Sequence, residues 1–181
     1  MAKDKDAECR KLYSTIQRNA ERILQLVNQL MDIRKIDKGQ MSLMFKKAEI
    51  VSFTRDLLET FEQQTRVKKL DLKFHTSAPE IEMWIDPKNF DKIILNLLSN
   101  ACKFTPENGQ VEISLSTGED THLPQNAPLR RYVELTVADS GIGIASTERE
   151  HIFERFYQIR NSQNNSNIGT GIGHHLTRSL V

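Results

Sequence analysis

Leu12, Ile16, Asn19, Ile23, Leu26, Leu30, Ile33 and Asp37 follow one another at steps of 4, 3, 4, 3, 4, 3 and 4 residues. A seam of period 3.5 commits the start of the chain to one long helix, because only a helix returns those positions to the same side. An amphipathic helix packed on its own domain is the plainer reading, but a 3.5-residue period sustained over this length favours association with other helices. Leu24, Val27 and Met31 widen the stripe beyond a two-stranded zipper, which favours a helical bundle. Gly39 follows the last seam position and is placed to cap the helix.

Downstream the period changes. Ile50, Phe53, Leu57, Leu58 and Phe61 recur at helical spacing and predict a second helix over 50–66. The segments LDLKFH (70–75) and IEMWID then alternate as short strands. In DPKNFDKIILNLLSNACKF, Asp86 is an N-cap candidate and Pro87 suits the first helical turn, with Phe90, Ile93, Ile94, Leu97, Leu98 and Ala101 on the buried side. QVEISLS (110–116) and RYVELTVAD (131–139) alternate as longer strands around a polar connector with two prolines, and NSQNNSN (161–167) reads as a loop. Helices interspersed with short strands predict an α+β two-layer domain behind a long coiled-coil-like helix.

Composition narrows the function classes. The net charge is +1 and no block of like charge occurs, which gives no electrostatic footprint for nucleic acid. No apolar run approaches the ~18 residues of a membrane span. Cys9 and Cys102 lack metal spacing and cannot form a disulfide framework, which suits a reducing cytoplasm.

Four motifs carry chemistry. Asn96 and Asn100, four apart on the predicted helix, present two neutral carboxamides on one side with Lys103 a turn further on. Those groups suit a Mg²⁺ ion that takes its other ligands from water and phosphates, though a solvated polar face has the same appearance. In ADSGIGI (138–144), Asp139 precedes Gly141 and Gly143, so a carboxylate able to accept from an exocyclic amine sits at a turn that admits a flat ligand, or simply at a turn. IFERF (152–156) sets Phe153 and Phe156 three apart, on one helical turn or in the core. GTGIGHHL (169–176) puts Gly169, Gly171 and Gly173 before a helix, an arrangement that offers N–H groups to phosphate and equally serves as a hinge.

Taken in order, NLLSNACKFTP, DSGIGI, FERF and GTGIG closely resemble the N, G1, F and G2 boxes of the sensor histidine kinase ATP-binding domain, of the class shared with gyrase, Hsp90 and MutL. LVNQLMDIRKIDKGQMSL (26–43) is similar to the second helix of the kinase dimerisation hairpin and its linker, and RNSQNNSNIGTGIG resembles the hybrid two-component regulators of gut Bacteroides. The resemblance implies residues 1–45 as hairpin helix and linker, and 46–181 as a Bergerat-type ATP-binding fold whose final strands fall outside the 181 residues. It implies Mg²⁺ ligation by Asn100 with support from Asn96, phosphate contact by Lys103, adenine recognition by Asp139, and a base pocket lined by Gly141 and Gly143 with Phe104 beside the nucleoside. Residues 157–168 would form the lid, with Gly169, Thr170, Gly171 and Gly173 at the phosphates. Gln158 stands where a basic lid residue is expected, leaving Arg155 or Arg160 as the candidate for the γ-phosphate.

The expected activity is transfer of the γ-phosphoryl group of Mg·ATP to a histidine outside this chain, in a cytoplasmic homodimer that serves a response-regulator receiver domain and whose parent protein is anchored in the inner membrane. Two departures stand out: His174 replaces an apolar residue after the third glycine, and the first hairpin helix with its phosphoacceptor histidine is not among these residues. His75, His122, His151, His174 and His175 lie off the heptad helix and read as structural or surface groups. A hydrolytic ATPase of the gyrase or Hsp90 kind would carry Glu at position 96 to activate water, and an Asn amide cannot be that base. A non-catalytic dimerisation and nucleotide-sensing module is the other alternative.

Overall fold

The computed structural model describes residues 2–122, 131–159 and 170–181. The polar run 161–167, Gly169, Arg160 and the connector prolines Pro124 and Pro128 lie outside the described residues.

Helix α1 (Ala2–Asp37) is 36 residues long, about 54 Å at 1.5 Å per residue. Its end is set by Gly39, at φ +62°. There the Gly39 N–H donates to Ile36 O at 2.9 Å and the Gln40 N–H to Lys35 O at 2.8 Å, the paired bonds of a Schellman cap. The seam is divided between two environments. Leu26, Ile33 and Ile36 pack on Ile172, Leu176 and Leu180, whereas Leu12, Ile16, Ile23 and Leu30 are exposed.

Strand β1 (Lys46–Glu49) leads into α2 (Ile50–Glu59) and α3 (Glu62–Lys68). The single helix predicted over 50–66 is therefore two. The Thr60 hydroxyl and N–H both bond Leu57 O and close α2, and the backbone turns so that Phe61 enters the core at 8% exposure. Glu49 caps α2: its carboxylate accepts from Val51 N, Ser52 N and Ile81 N, so one side chain joins the helix start to the segment before β3.

Strand β2 (Asp71–Thr76), β3 (Glu82–Ile85), α4 (Pro87–Phe104), β4 (Gln110–Glu119) and β5 (Arg131–Asp139) complete the layered part, followed by a 3₁₀ turn (His151–Phe153) and α5 (Gly173–Leu180). β1 and β3 form an antiparallel pair; β2, β4 and β5 form a sheet in which β2 runs parallel and β5 antiparallel to β4. Among the described residues β2 and β5 each pair on one side only. Val111, Ile113 and Leu115 of the central strand β4 are buried, and the first two pack with Leu58, Ile94, Leu98 and Cys102. α4 therefore lies on the sheet by its apolar side, leaving Asn96, Asn100 and Lys103 on a half-buried flank. Asp86 starts α4 as expected, accepting from Lys88 N and Asn89 N, and its other oxygen accepts from Met44 N, which ties the linker after α1 to this helix.

Candidate nucleotide site on α4

Glycines press against α4 from both ends. A Cβ on Gly173 would lie 2.0 Å from Asn96 Oδ1, and one on Gly141 would lie 2.7 Å from the carbonyl oxygen of Phe104. Only glycine permits either approach. Asn96 and Phe104 are eight residues apart, about 12 Å along a helix. The two glycine loops thus bracket one strip of α4 that contains Asn96, Asn100 and Lys103.

At the Gly141 end, the Asp139 Oδ1 accepts from Gly141 N at 2.8 Å and fixes the exposed carboxylate at the mouth of the turn. Gly143 has φ +67° and open space where a side chain would stand. The Lys103 Nζ sits 4.7 Å from the ring centre of Phe104. Burial, and secondarily the positive charge of Arg22 on α1, pushes the Lys103 ammonium below its usual range. An anion bound beside it would offset both by favouring the charged form. The carbonyls that end α4 are held by a residue the sequence did not advertise: Lys68 Nζ donates to Cys102 O, Lys103 O and Thr105 O at 2.8, 3.0 and 3.1 Å. A cation on the last carbonyls is favourable to the helix dipole as well.

At the Gly173 end, the Asn96 Nδ2 donates to Thr177 Oγ1 at 2.8 Å, and the Asn100 Nδ2 lies 3.5 Å from His174 Nε2. The half-buried His174 ring stands edge-on to Phe153, and burial lowers its pKa. Gly171 has φ +68° and its carbonyl accepts from Phe156 N at 2.8 Å; Thr170 Oγ1 accepts from Ile172 N at 3.3 Å and lies 3.5 Å from Gln29 of α1.

The F-box phenylalanines part company. Phe153 ends the 3₁₀ turn, half-buried, but Phe156 is at φ +63° and exposed, so they do not share one helical turn. Arg155 is turned to α1: both guanidinium ends bond the Asp37 carboxylate, Nη1 at 2.8 Å, while Nε donates to His175 Nε2 at 3.0 Å. The Arg155 bond holds the Asp37 carboxyl below its usual range. Arg155 is thus committed away from the strip on α4, and it also borders an open depression of about 640 Å³ lined by Phe153, His175 and Arg178. Lys92 and Asp32 add a 2.5 Å ion pair between α1 and α4.

No helix among the described residues is long and apolar enough to cross a membrane. Residues 85–181 match the family model described as "Histidine kinase-, DNA gyrase B-, and HSP90-like ATPase". The sensor histidine kinase TmoS of Ectopseudomonas mendocina is 36% identical over 171 residues, which cover 94% of this chain and 16% of that protein. The full-length ShkA structure in complex with AMPPNP superposes with a TM-score of 0.74 at 24% identity, over 94% of this chain and 33% of that one. The histidine kinase ThkA in complex with response regulator protein TrrA gives a TM-score of 0.56 at 22% identity, over 75% and 38%. At such identities the two structures speak to the fold, an α+β domain with a preceding helix. The chain spans 11% to 16% of the length of the first three curated relatives it matches.

Proposed function

Because this chain belongs to the histidine kinase-, DNA gyrase B- and HSP90-like ATPase family, we propose that it is the ATP-binding portion of a sensor protein-histidine kinase. Residues 46–181 bind Mg·ATP and present its γ-phosphoryl group to a histidine on another helix, and residues 1–45 are the second helix of a dimerisation hairpin with its linker. The observation that carries this reading is the strip on α4 bracketed by Gly141 and Gly173. Asp139 accepts from the adenine amine, Gly141 and Gly143 admit the base, and Phe104 flanks the nucleoside. Lys103 balances phosphate charge, and the backbone of Thr170, Gly171 and Gly173, with the N-terminus of α5, faces the phosphates. Asn100, whose carboxamide oxygen is a neutral hard ligand, fits a cation whose other ligands are water and phosphate. Bound there, Mg²⁺ would neutralise triphosphate charge, and Asn96 supports Asn100 by holding α5 in place. The residues of the chain then act by positioning and charge balance.

Asn96 also weighs against hydrolysis. A carboxamide is no general base, and its Nδ2 is already bonded to Thr177. We further assign homodimerisation to α1, a receiver domain as downstream partner, and a parent protein anchored in the inner membrane with this portion on the cytoplasmic side. Incubation with γ-labelled ATP and a separately folded hairpin bearing an acceptor histidine should label the hairpin and leave this chain unlabelled. Acid-labile label on this chain, or release of free phosphate without transfer, would refute the assignment.

A further inference from the structure

Asn96 and Asn100 both turn the NH₂ end of their side chains to α5, one to the Thr177 hydroxyl and the other to His174 Nε2. We propose that His174 is a positioning residue for Asn100, accepting from its Nδ2 so that Oδ1 is the end presented to the cation and phosphates of a bound nucleotide. This rests on the reading of Asn100 as a cation ligand. Nδ2 can only donate, so the facing Nε2 must carry a lone pair and the ring proton must sit on Nδ1.

The ring is held to that task from its other side. It meets Phe153 at 6.1 Å and 81° between planes, and Phe153 is itself secured by His175 Nδ1 at 3.0 Å from its carbonyl and by the Arg178 guanidinium 5.3 Å from its ring centre. At 3.5 Å the Asn100–His174 contact is at the long end of hydrogen bonding. It serves to choose between two orientations of one amide. That choice matters, because a carboxamide turned about would meet a cation with two N–H donors. Residues behind a ligand that fix its orientation govern metal affinity without touching the metal. The histidine after the third glycine, unexpected from the motif, acquires a role here that an apolar residue cannot fill.

The test is nucleotide affinity with and without Mg²⁺, by titration of a fluorescent ATP analogue into the unmodified chain, His174→Leu and His174→Gln, with thermal melts as folding controls. In His174→Leu the ratio of the two affinities should fall about three- to tenfold, at or below the low end of what such supporting residues contribute, as suits a contact as long as 3.5 Å. His174→Gln keeps an acceptor and should retain most of the ratio. Nitrogen NMR of the unmodified chain should find Nδ1 protonated and Nε2 bare. An unchanged ratio in His174→Leu, a proton on Nε2, or direct imidazole coupling to Mn²⁺ in a Mn·nucleotide complex would each overturn the inference. An unmodified chain whose affinity ignores Mg²⁺ would instead remove the cation role of Asn100, and the inference with it.

Discussion

Gly173→Ala should separate the close packing of α4 and α5 from ordinary helix propensity. The added Cβ would stand 2.0 Å from Asn96 Oδ1 and 2.7 Å from its Cγ, so either Asn96 swings away or α5 retreats. Overpacking of this kind costs about 1–3 kcal/mol. Loss of the Asn96–Thr177 bond, 2.8 Å long, adds about 1 kcal/mol. Replacing glycine in a helix returns up to about 1 kcal/mol through the unfolded chain, since Gly173 is not in the left-handed region. The net is a destabilisation of about 1–3 kcal/mol, a fall of roughly 3–10 °C in Tm for a chain of this size. Thermal melts followed by circular dichroism measure it, and the same variant should bind a fluorescent ATP analogue more weakly. The decisive comparison is Gly173→Ala made in an Asn96→Ala background. With no carboxamide to meet, the new methyl should be neutral or stabilising, a reversal of sign. Equal destabilisation in both backgrounds would refute the contact, as would an unperturbed Tm in the single variant.

Other outcomes follow from separate parts of the molecule. Asp139→Asn should weaken adenine nucleotide binding by about 1.5 kcal/mol, the scale of a hydrogen bond to a charged group; equal affinity in a folded variant would remove Asp139 from the site. For Glu49, burial raises the pKa but the N–H donors of Ile81, Ser52 and Val51 outweigh it and bring it to about 2. A depressed carboxyl stabilises fully above its unfolded value of 4.5 and progressively less as pH falls towards about 2. Glu49→Ala should therefore destabilise by about 2 kcal/mol at pH 7, and urea melts should find the difference shrinking through the acid range. Ile23→Asp, on the exposed part of the seam, should loosen the proposed dimer in sedimentation while leaving Tm of the α+β layer nearly unchanged. A clean monomer before substitution would show that the exposed part of the seam does not join two copies of the chain.

Much of this could be read in advance where the determinant was local. Asp86, Pro87 and an unbroken apolar period defined α4, and the helix runs from Pro87 to Phe104 as those residues require. The break between α2 and α3 was hidden because Phe61 continues the helical spacing in sequence while the chain turns to bury it elsewhere. Long-range polar contacts left no trace: Lys68 reaches the end of α4 from 34 to 37 residues away, and nothing in its surroundings distinguishes it from Lys69. Within the site, residue types and order were legible, but the orientation of each amide was not. That depended on which groups of α5 face Asn96 and Asn100.

The divided seam of α1 bears on how the proposed homodimer could form while α1 stays packed on α5. Leu26 and Ile33 belong to the same heptad register as Leu12, Ile16, Ile23 and Leu30, yet the first two are engaged with α5 and the rest are exposed. A dimer that used the whole seam would have to strip α5 from Leu26 and Ile33. Ile172, Leu176 and Leu180 would then lose their cover, each large aliphatic side chain so exposed forfeiting about 1.5–3 kcal/mol, and the Asp37–Arg155 pair at the end of the contact would be strained in the same movement. A dimer that used only Leu12, Ile16 and Ile23 involves no such loss. Association through the upstream half, with the downstream half kept on α5, is therefore the arrangement these contacts favour. It would hold Gln29 beside Thr170, and so α1 beside the glycine loop, in each protomer.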